Sequence, residues 1–456
     1  MTDKKQQNFH FIGIGGSGMS GVAHLCLEDG HRVSGSDLRS SNATSRLEKG
    51  GAIIHFPHNS SNIDEEPVVV VSSAIPESNV ELLTAQKLGL TIKKRAEVLG
   101  WFMKGKQGIS VAGCHGKTTT TSLVSSILTV SNMDPTTVVG GEASHVGGNA
   151  KFGHGKYLVA EADESDGSFL CLPSKYSIVT NVDNDHLDHY GSFEAIQKAF
   201  LQFLDQTEEF AVICGDDPVL RELACLSNSK VVSYGFDPSC DYRIELVEEA
   251  VDGTEFKIHH EGECIVESKT AVPGLHNVLN SSAAIALCHK LGVEASMLDQ
   301  GIRNFGGVQR RFELVQKKGE LEVFDDYAHH PAEVKATLRA ARQRLKGRDG
   351  KLVVCFQAHR FSRMKHIAHE FAHAFSEADF LYLAPIYAAG ECVHMGMDVW
   401  SIVKHLEFDP SRVCVLPHAD WSLVGEMMKQ ELRDGDLFLT MGAGDVTRLG
   451  REMNLG

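Results

Sequence analysis

Residues 109–121 read ISVAGCHGKTTTT, and the fold turns on how this stretch is read. Ile109–Gly113 is an apolar run suited to a buried strand, and Gly116-Lys117-Thr118 is the phosphate-gripping end of a P-loop. The usual spacing asks for a glycine five residues before Gly116, where this chain has Val111. The local physics still favours phosphate. Backbone N–H groups at a helix start would cradle it, Lys117 would neutralise it, and Thr118 would offer a hydroxyl to a divalent cation. Four consecutive threonines are poor helix-interior residues but suit a first turn facing phosphate. A strand running through a glycine loop into a helix is the repeating unit of a parallel α/β sheet.

Outward from this stretch the same unit recurs. Before it come FHFIGIGG, HRVSGSD and PVVVVSSAIP, the last apolar enough for burial on both faces. Lys104–Gly108 reads as a linker. After it come KYLVAEADESD, YSIVTNVDNDHLD and EEFAVICGDDP, each a strand ending in acids, then short alternating strands over 231–270 that suggest a β-rich insertion. VPGLHNVLNSSAAIALCHKLG reads as a loop and a helix. A further block opens near Gln309 with LEVFDDYAHHP, KLVVCFQAHR, FLYLAPIYAAGE and DLFLTMGAGD. The expectation is an α/β chain of three domains. They are a Rossmann-like N-terminal domain over 1–106, a P-loop-type central domain over 107–312 and a Rossmann-like C-terminal domain over 313–456. Polar residues cluster after strand ends, where open parallel sheets bind ligands.

Bulk properties narrow the class. The 456 residues are 42% hydrophobic and 23% charged, as in ordinary globular chains. A formal charge of -16 argues against a nucleic-acid footprint, which needs a basic face. Eleven scattered cysteines without a C-x-x-C pair argue against a disulfide framework and for a reducing cytoplasm. MTDKKQQNFHFIGIGG lacks a signal-peptide core, and no apolar run reaches the ~18–20 residues of a membrane span. The expected assembly is a monomer or homodimer.

Gly13-I-G-G-S-G18 fits G-x-G-x-x-G, with Asp37 ending the next strand. The residues alone allow a dinucleotide site, another diphosphate held by the helix start, or a tight turn with no ligand. Glu161 follows the strand YLVA and His186 follows SIVT. Either can ligate a metal near the P-loop or merely cap a turn, and a histidine is an unusual ligand for hard Mg2+.

GCHGKTTTT, EADESDGSF, NVDNDHLDHY, PGLHNVLNSSAAIAL, RRFE, DDYAHHPAEV, QAHRFSR, APIYAAGE and LTMGAGDVT occur in that order. With GIGGSGMSG and SSAIPESN at the front, this set resembles the Mur ligases of peptidoglycan synthesis across almost the whole chain, most closely their alanine-adding branch. The family's loop is the shorter G-[TS]-[NH]-G-K-T, which accounts for Val111; Cys114 departs from its threonine, and Ala328 stands where a glycine is usual. The resemblance implies ATP- and Mg2+-dependent joining of L-alanine to the lactyl carboxylate of UDP-N-acetylmuramate through an acyl phosphate. The rival activities are a tripeptide-adding recycling ligase within the family and a nicotinamide dehydrogenase outside it.

By the same resemblance Gly15, Ser17 and Gly18 approach the UDP diphosphate, and Asp37, Ser72 and Ser73 the uridine. Gly113, His115, Gly116, Lys117, Thr118 and Thr119 meet the ATP phosphates. His276, Asn277, Asn280, Arg311 and Asp326 meet the rest of that nucleotide. Thr118, Glu161 and His186 hold the metal. Tyr327, His329, His359, Arg360 and Arg363 meet the amino acid. Lys117, His329 as a base and Arg363 carry the catalytic roles. Two further expectations concern single residues. Cys114, beside Lys117 at a helix start, reads either as a reactive low-pKa thiol or as a shielded one. Several members of the family carry a carbamylated lysine 14–15 residues after the metal-binding histidine; Phe200 and Leu201 stand there, Lys198 falls short, and no carbamate is expected.

Overall fold

The computed structural model describes residues 6–64, 66–391 and 397–455. Residues 1–5 and 456, which begin and end the first and third expected domains, lie outside the described residues. The chain divides into two compact units.

The first unit comprises Met1–Asp183, Glu194–Arg243 and Ser282–Gly306. It opens with β1 (Asn8–Ile12), β2 (Arg32–Ser36), β3 (Ile53–His55), β4 (Val68–Val71) and β5 (Ile92–Lys94). These form a parallel sheet in the order β3-β2-β1-β4-β5. The order reverses between β1 and β4, so the loop after β1 opens at a topological switch point, where such sheets take ligands. Apolar β1 is buried over four of its five residues, as a central strand requires.

A second sheet follows, made of β6 (Gln107–Ala112), β7 (Thr136–Ala143), β8 (Gly148–Lys151), β9 (Tyr157–Glu161), β10 (Tyr176–Val179), β11 (Phe210–Cys214), β12 (Val231–Gly235) and the start of β13 (Tyr242–Ala250). Its order is β13-β12-β11-β10-β6-β9-β7-β8. Apart from the antiparallel β7–β8 hairpin, the paired strands run parallel. β6 lies at the centre, with Val111 opposite Glu161 of β9 on one side and Ile178 of β10 on the other. The strand carrying the P-loop therefore has neighbours on both edges that end in polar residues.

The second unit comprises Asn184–Phe193, Ile244–Ser281 and Gly307–Gly456. It holds most of β13 and the antiparallel pair β14 (Gly253–His260) and β15 (Glu263–Lys269), so the β-rich segment expected over 231–270 is β12–β15. Its main sheet contains β16 (Glu313–Lys318), β17 (Leu321–Asp326), β18 (Leu352–His359), β19 (Phe380–Tyr387), β20 (Val413–Val415) and β21 (Leu437–Met441), in the order β16-β17-β21-β18-β19-β20. All its pairs are parallel except the β16–β17 hairpin. Alternate residues of β18 enter two separate cores. Leu352, Val354 and Phe356 pack on one face, and Val353 and Cys355 on the other. Burial on both faces is why this strand reads as an unbroken apolar run.

Candidate active site

The P-loop leaves β6 at Gly113, whose φ of 131° lies outside the range of ordinary residues. A Cβ there would lie 2.1 Å from the Thr180 hydroxyl. The loop is braced by the residues after β10. Cys114 N–H donates to the Asn181 carbonyl at 3.3 Å, and His115 N–H to Asn181 Oδ1 at 2.8 Å. Thr180 Oγ1 and Asn181 Nδ2 both donate to the His115 carbonyl. The Cys114 thiol sits between the N–H of Asp183, 3.1 Å away, and its carbonyl, 3.4 Å away. It is 7% exposed, the arrangement of a shielded thiol.

The helix Lys117–Val130 starts at Gly116, in the left-handed conformation. Lys117 Nζ donates to the carbonyls of Gly113 at 2.7 Å and Cys114 at 3.2 Å. Both oxygens of Glu164 lie 2.8 Å from it. Burial pulls the Lys117 pKa down, but Glu164, Asp163 and Glu161 together outweigh this and hold it above the ordinary lysine value. Lys117 is therefore a permanent cation. Thr118–Thr121 are all buried in the first turn. Thr118 Oγ1 donates to Glu161 Oε1 at 3.1 Å, and Gly140 N–H fixes Glu161 Oε2 at 2.6 Å. A hydroxyl and an orientated carboxylate at one strand edge are the hard oxygen donors that fit Mg2+. His186 stands in the second unit at φ 57°, before the short helix Leu187–Tyr190. In the helix Phe193–Asp205, Lys198 is exposed while Phe200 packs 5.4 Å from Phe169.

The first glycine loop is built differently. Gly13 and Ile14 N–H groups donate to the Ser36 carbonyl, and Gly15 N–H donates to Asp37 Oδ2 at 2.8 Å. A Cβ on Gly15 would lie 2.9 Å from that oxygen. Asp37 thus closes the loop with the carboxylate that resemblance points at the uridine. The turn bearing Ser72 and Ser73 is drawn in by Ile75, whose N–H bonds Ser72 and whose side chain meets Gly13. The loop therefore brings Gly15 and Asp37 into contact and sets the Ser72 turn, through Ile75, beside Gly13. Two groups that sequence reading missed complete it. The Arg95 guanidinium covers Gly18 so closely that a Cβ there would lie 2.8 Å from it, and it reaches Asp163 at 3.6 Å. Behind Ser36, the fully buried Glu81 accepts from Ser36 Oγ, from Asn59 N–H at 3.0 Å and from Asn62 Nδ2 at 2.7 Å, with His10 Nε2 at 3.4 Å. Burial would raise its pKa, but these partners outweigh it and hold it at about 2.

In the second unit, Tyr327, His329 and His359 form an aromatic chain. His329 lies 5.4 Å from Tyr327 and 6.0 Å from His359, which stacks on Tyr387. The guanidinium carbons of Arg310 and Arg311 lie 4.9 and 5.3 Å from the Tyr327 ring centre. Burial pushes the His329 pKa down to about 3 against the pull of Glu333, so its ring is neutral at pH 7. Nδ1 lies 3.1 Å from the Tyr327 carbonyl, to which its proton is donated, leaving Nε2 as the acceptor. Burial, then Arg311, holds His276 at about 4, also neutral, near the start of the helix Leu275–Lys290. Asn277 in that turn bonds the Pro273 carbonyl, and Asn280 is buried one turn on.

Two expected residues here, Asp326 and Arg363, also make structural contacts. Both Asp326 oxygens accept backbone N–H groups, from Phe312 and Ala328, each at 2.7 Å; burial nonetheless raises its pKa to about 6. Arg363 donates to the buried Asp185 at 3.2 and 3.4 Å, and, although burial acts the other way, Arg363 holds the Asp185 carboxyl far below the usual range. Arg360 precedes the helix Phe361–Ile367 with φ 66°, outside the helical backbone that carries Arg363.

Known proteins resemble this arrangement over the whole chain. Residues 8–107 match the Mur ligase family catalytic domain, 111–288 the Mur ligase middle domain and 310–444 the Mur ligase glutamate ligase domain. A UDP-N-acetylmuramate–L-alanine ligase of Desulforamulus reducens is 44% identical over 98% of this chain and 97% of its own length. One of Geotalea daltonii is 41% identical over 98% of each. The solved UDP-N-acetylmuramate-alanine ligase of Thermotoga maritima superposes with a TM-score of 0.83 at 30% identity, covering 98% of both chains. A murein peptide ligase of Psychrobacter arcticus shares the fold with a TM-score of 0.73 at 23% identity, again over 98% of both chains.

Proposed function

The chain belongs to the Mur ligase family, and we propose that it joins L-alanine to the lactyl carboxylate of UDP-N-acetylmuramate, driven by ATP, in the assembly of peptidoglycan precursors. The observation that carries this reading is the buried Lys117 beside the Thr118–Glu161 oxygen pair, in a chain that matches alanine-adding ligases along its whole length. Residues 1–106 take the UDP substrate, 107–312 take ATP, and 313–456 take the amino acid and part of the nucleotide.

A carboxylate is a poor acyl donor because its leaving group would be oxide. Here the lactyl carboxylate attacks the γ-phosphorus of ATP, forming an acyl phosphate and releasing ADP. The alanine amine then attacks the acyl carbon, and the tetrahedral intermediate expels inorganic phosphate to leave an amide. Lys117 stabilises charge on the transferring phosphoryl group. Thr118 and Glu161 would hold Mg2+, which would supply further neutralisation of that phosphate, and His186 is the further ligand that the family resemblance implies. His276, with Asn277 and Asn280, offers neutral hydrogen-bonding groups to the base, and Arg311 a cation to the nucleotide. Arg360 and Arg363 meet the alanine carboxylate, with Asp185 holding the Arg363 fork in place. His329 presents its bare Nε2 to the attacking amine. At a pKa near 3 it orientates that amine and is a weak final acceptor of its proton.

The test is phosphate release from ATP with UDP-N-acetylmuramate and one amine donor at a time. L-Alanine should give the fastest release, and glycine and serine a slower one, because a methyl group gives only ~1–3 kcal/mol of discrimination. Release with a murein tripeptide but not with alanine would move the chain to the recycling branch. Nicotinamide reduction without UDP-sugar dependence would remove it from the ligases.

A further inference from the structure

Asp163 and Glu164 follow directly after β9, and each holds the cation of a different loop. Glu164, 1% exposed, places both oxygens 2.8 Å from Lys117. Asp163 lies 3.6 Å from Arg95, the guanidinium that covers Gly18 of the first loop. Lys117 has three ammonium protons. The carbonyls of Gly113 and Cys114 and the Glu164 carboxylate already engage them. A phosphate oxygen can take one only by displacing a partner, and the partner it repels is the carboxylate.

We propose that Glu164 is an internal counter-ion with which ATP competes for Lys117, and that Asp163 plays the same part toward Arg95 for the UDP diphosphate. Each acid holds its partner cation by charge and lowers the affinity of the nucleotide that cation serves. Two neighbouring residues of one loop thus set the affinities of two separate anion sites. The inference rests on the substrate reading above. It makes Glu164 a positioning residue that acts through Lys117.

The experiment measures dissociation constants of MgATP and of UDP-N-acetylmuramate by calorimetry on the full chain without alanine. Glu164→Gln, which keeps shape and removes charge, should tighten MgATP by about threefold or more and leave UDP-N-acetylmuramate within about 1.5-fold. Asp163→Asn should tighten UDP-N-acetylmuramate, more weakly because its pair with Arg95 is longer, and should tighten MgATP less than Glu164→Gln does, because its charge also reaches Lys117. Glu164→Asp keeps the charge on a shorter arm and should fall between wild type and Glu164→Gln, which keeps the idea testable if the amide variant folds poorly. A residue needed only for packing would weaken both ligands or neither. MgATP binding that is unchanged or weaker in both Glu164 variants overturns the proposal. Lys117→Ala separates the two failures: if it binds MgATP normally, the P-loop reading itself is wrong, whereas if it binds MgATP weakly while the Glu164 variants match wild type, only the counter-ion idea falls.

Discussion

The two glycine loops share a plan, a buried parallel strand turning into a helix, and differ in where their charge comes from. The Gly13–Gly18 loop has no cation of its own: Arg95 reaches it from elsewhere in the chain, and the acid Asp37 closes the turn. The Gly113–Thr118 loop carries Lys117 within the turn and is braced by neutral groups of Thr180 and Asn181. On the proposed function the first loop only binds a diphosphate, and such a loop can take its positive charge from a distant side chain. A loop whose phosphate is transferred needs the cation fixed where charge develops, because only interactions that strengthen in the transition state raise kcat.

The largest test of that contrast is Lys117→Ala. It should lower kcat by about 10^3-fold or more with the fold intact, as expected for loss of a charge that acts in phosphoryl transfer. Steady-state phosphate release with a circular-dichroism control measures it, and near-normal turnover would make the two loops equivalent. The next test probes the support beneath the first loop. Glu81 is depressed from 4.5 to about 2, so its stabilisation is present above pH 4.5 and is lost as pH falls toward 2. That amounts to about 3 kcal/mol at neutral pH. Glu81→Gln should destabilise the chain at pH 7 and flatten its acid-unfolding curve. Fluorescence of Trp101, whose ring lies 6.4 Å from Phe9 of β1, follows this part of the fold. An unchanged acid limb would show that the network contributes nothing. The smallest effect belongs to the borrowed cation. Arg95→Ala should raise the KM for UDP-N-acetylmuramate about tenfold, the scale of one charged hydrogen bond of ~1.5 kcal/mol, and leave the KM for ATP unchanged. A rise in the ATP value instead would mean that Arg95 serves the second loop.

The strand–loop–helix units were legible because their signals are local: apolar runs of strand length, glycine at the turn, and acids or histidines just after. The β7–β8 hairpin escaped because TTVVGGEA and GNAK lack a clean alternation of apolar and polar residues. Glu164 and Arg95 escaped for another reason. Lys117 and Glu164 are 47 residues apart, and no spacing rule joins them. Arg363 and Asp185 are 178 apart, so the sequence points to the arginine but not to the carboxylate that holds its fork. Nor does any local signal show that Arg360 stands before its helix at positive φ while Arg363 lies within it.

The thiol of Cys114 has a practical meaning for inhibitor chemistry. Its sulfur is clasped by both backbone groups of Asp183, and the residue is 7% exposed. An electrophile cannot reach it while the loop and the strand extension stay together. Alkylation at this site therefore proceeds no faster than the loop lets go, and the labelling rate under excess reagent becomes a clock for that opening. Compounds that aim a warhead at this cysteine would be selecting for a rare conformation, and their potency would track how often it is visited more than how reactive the warhead is.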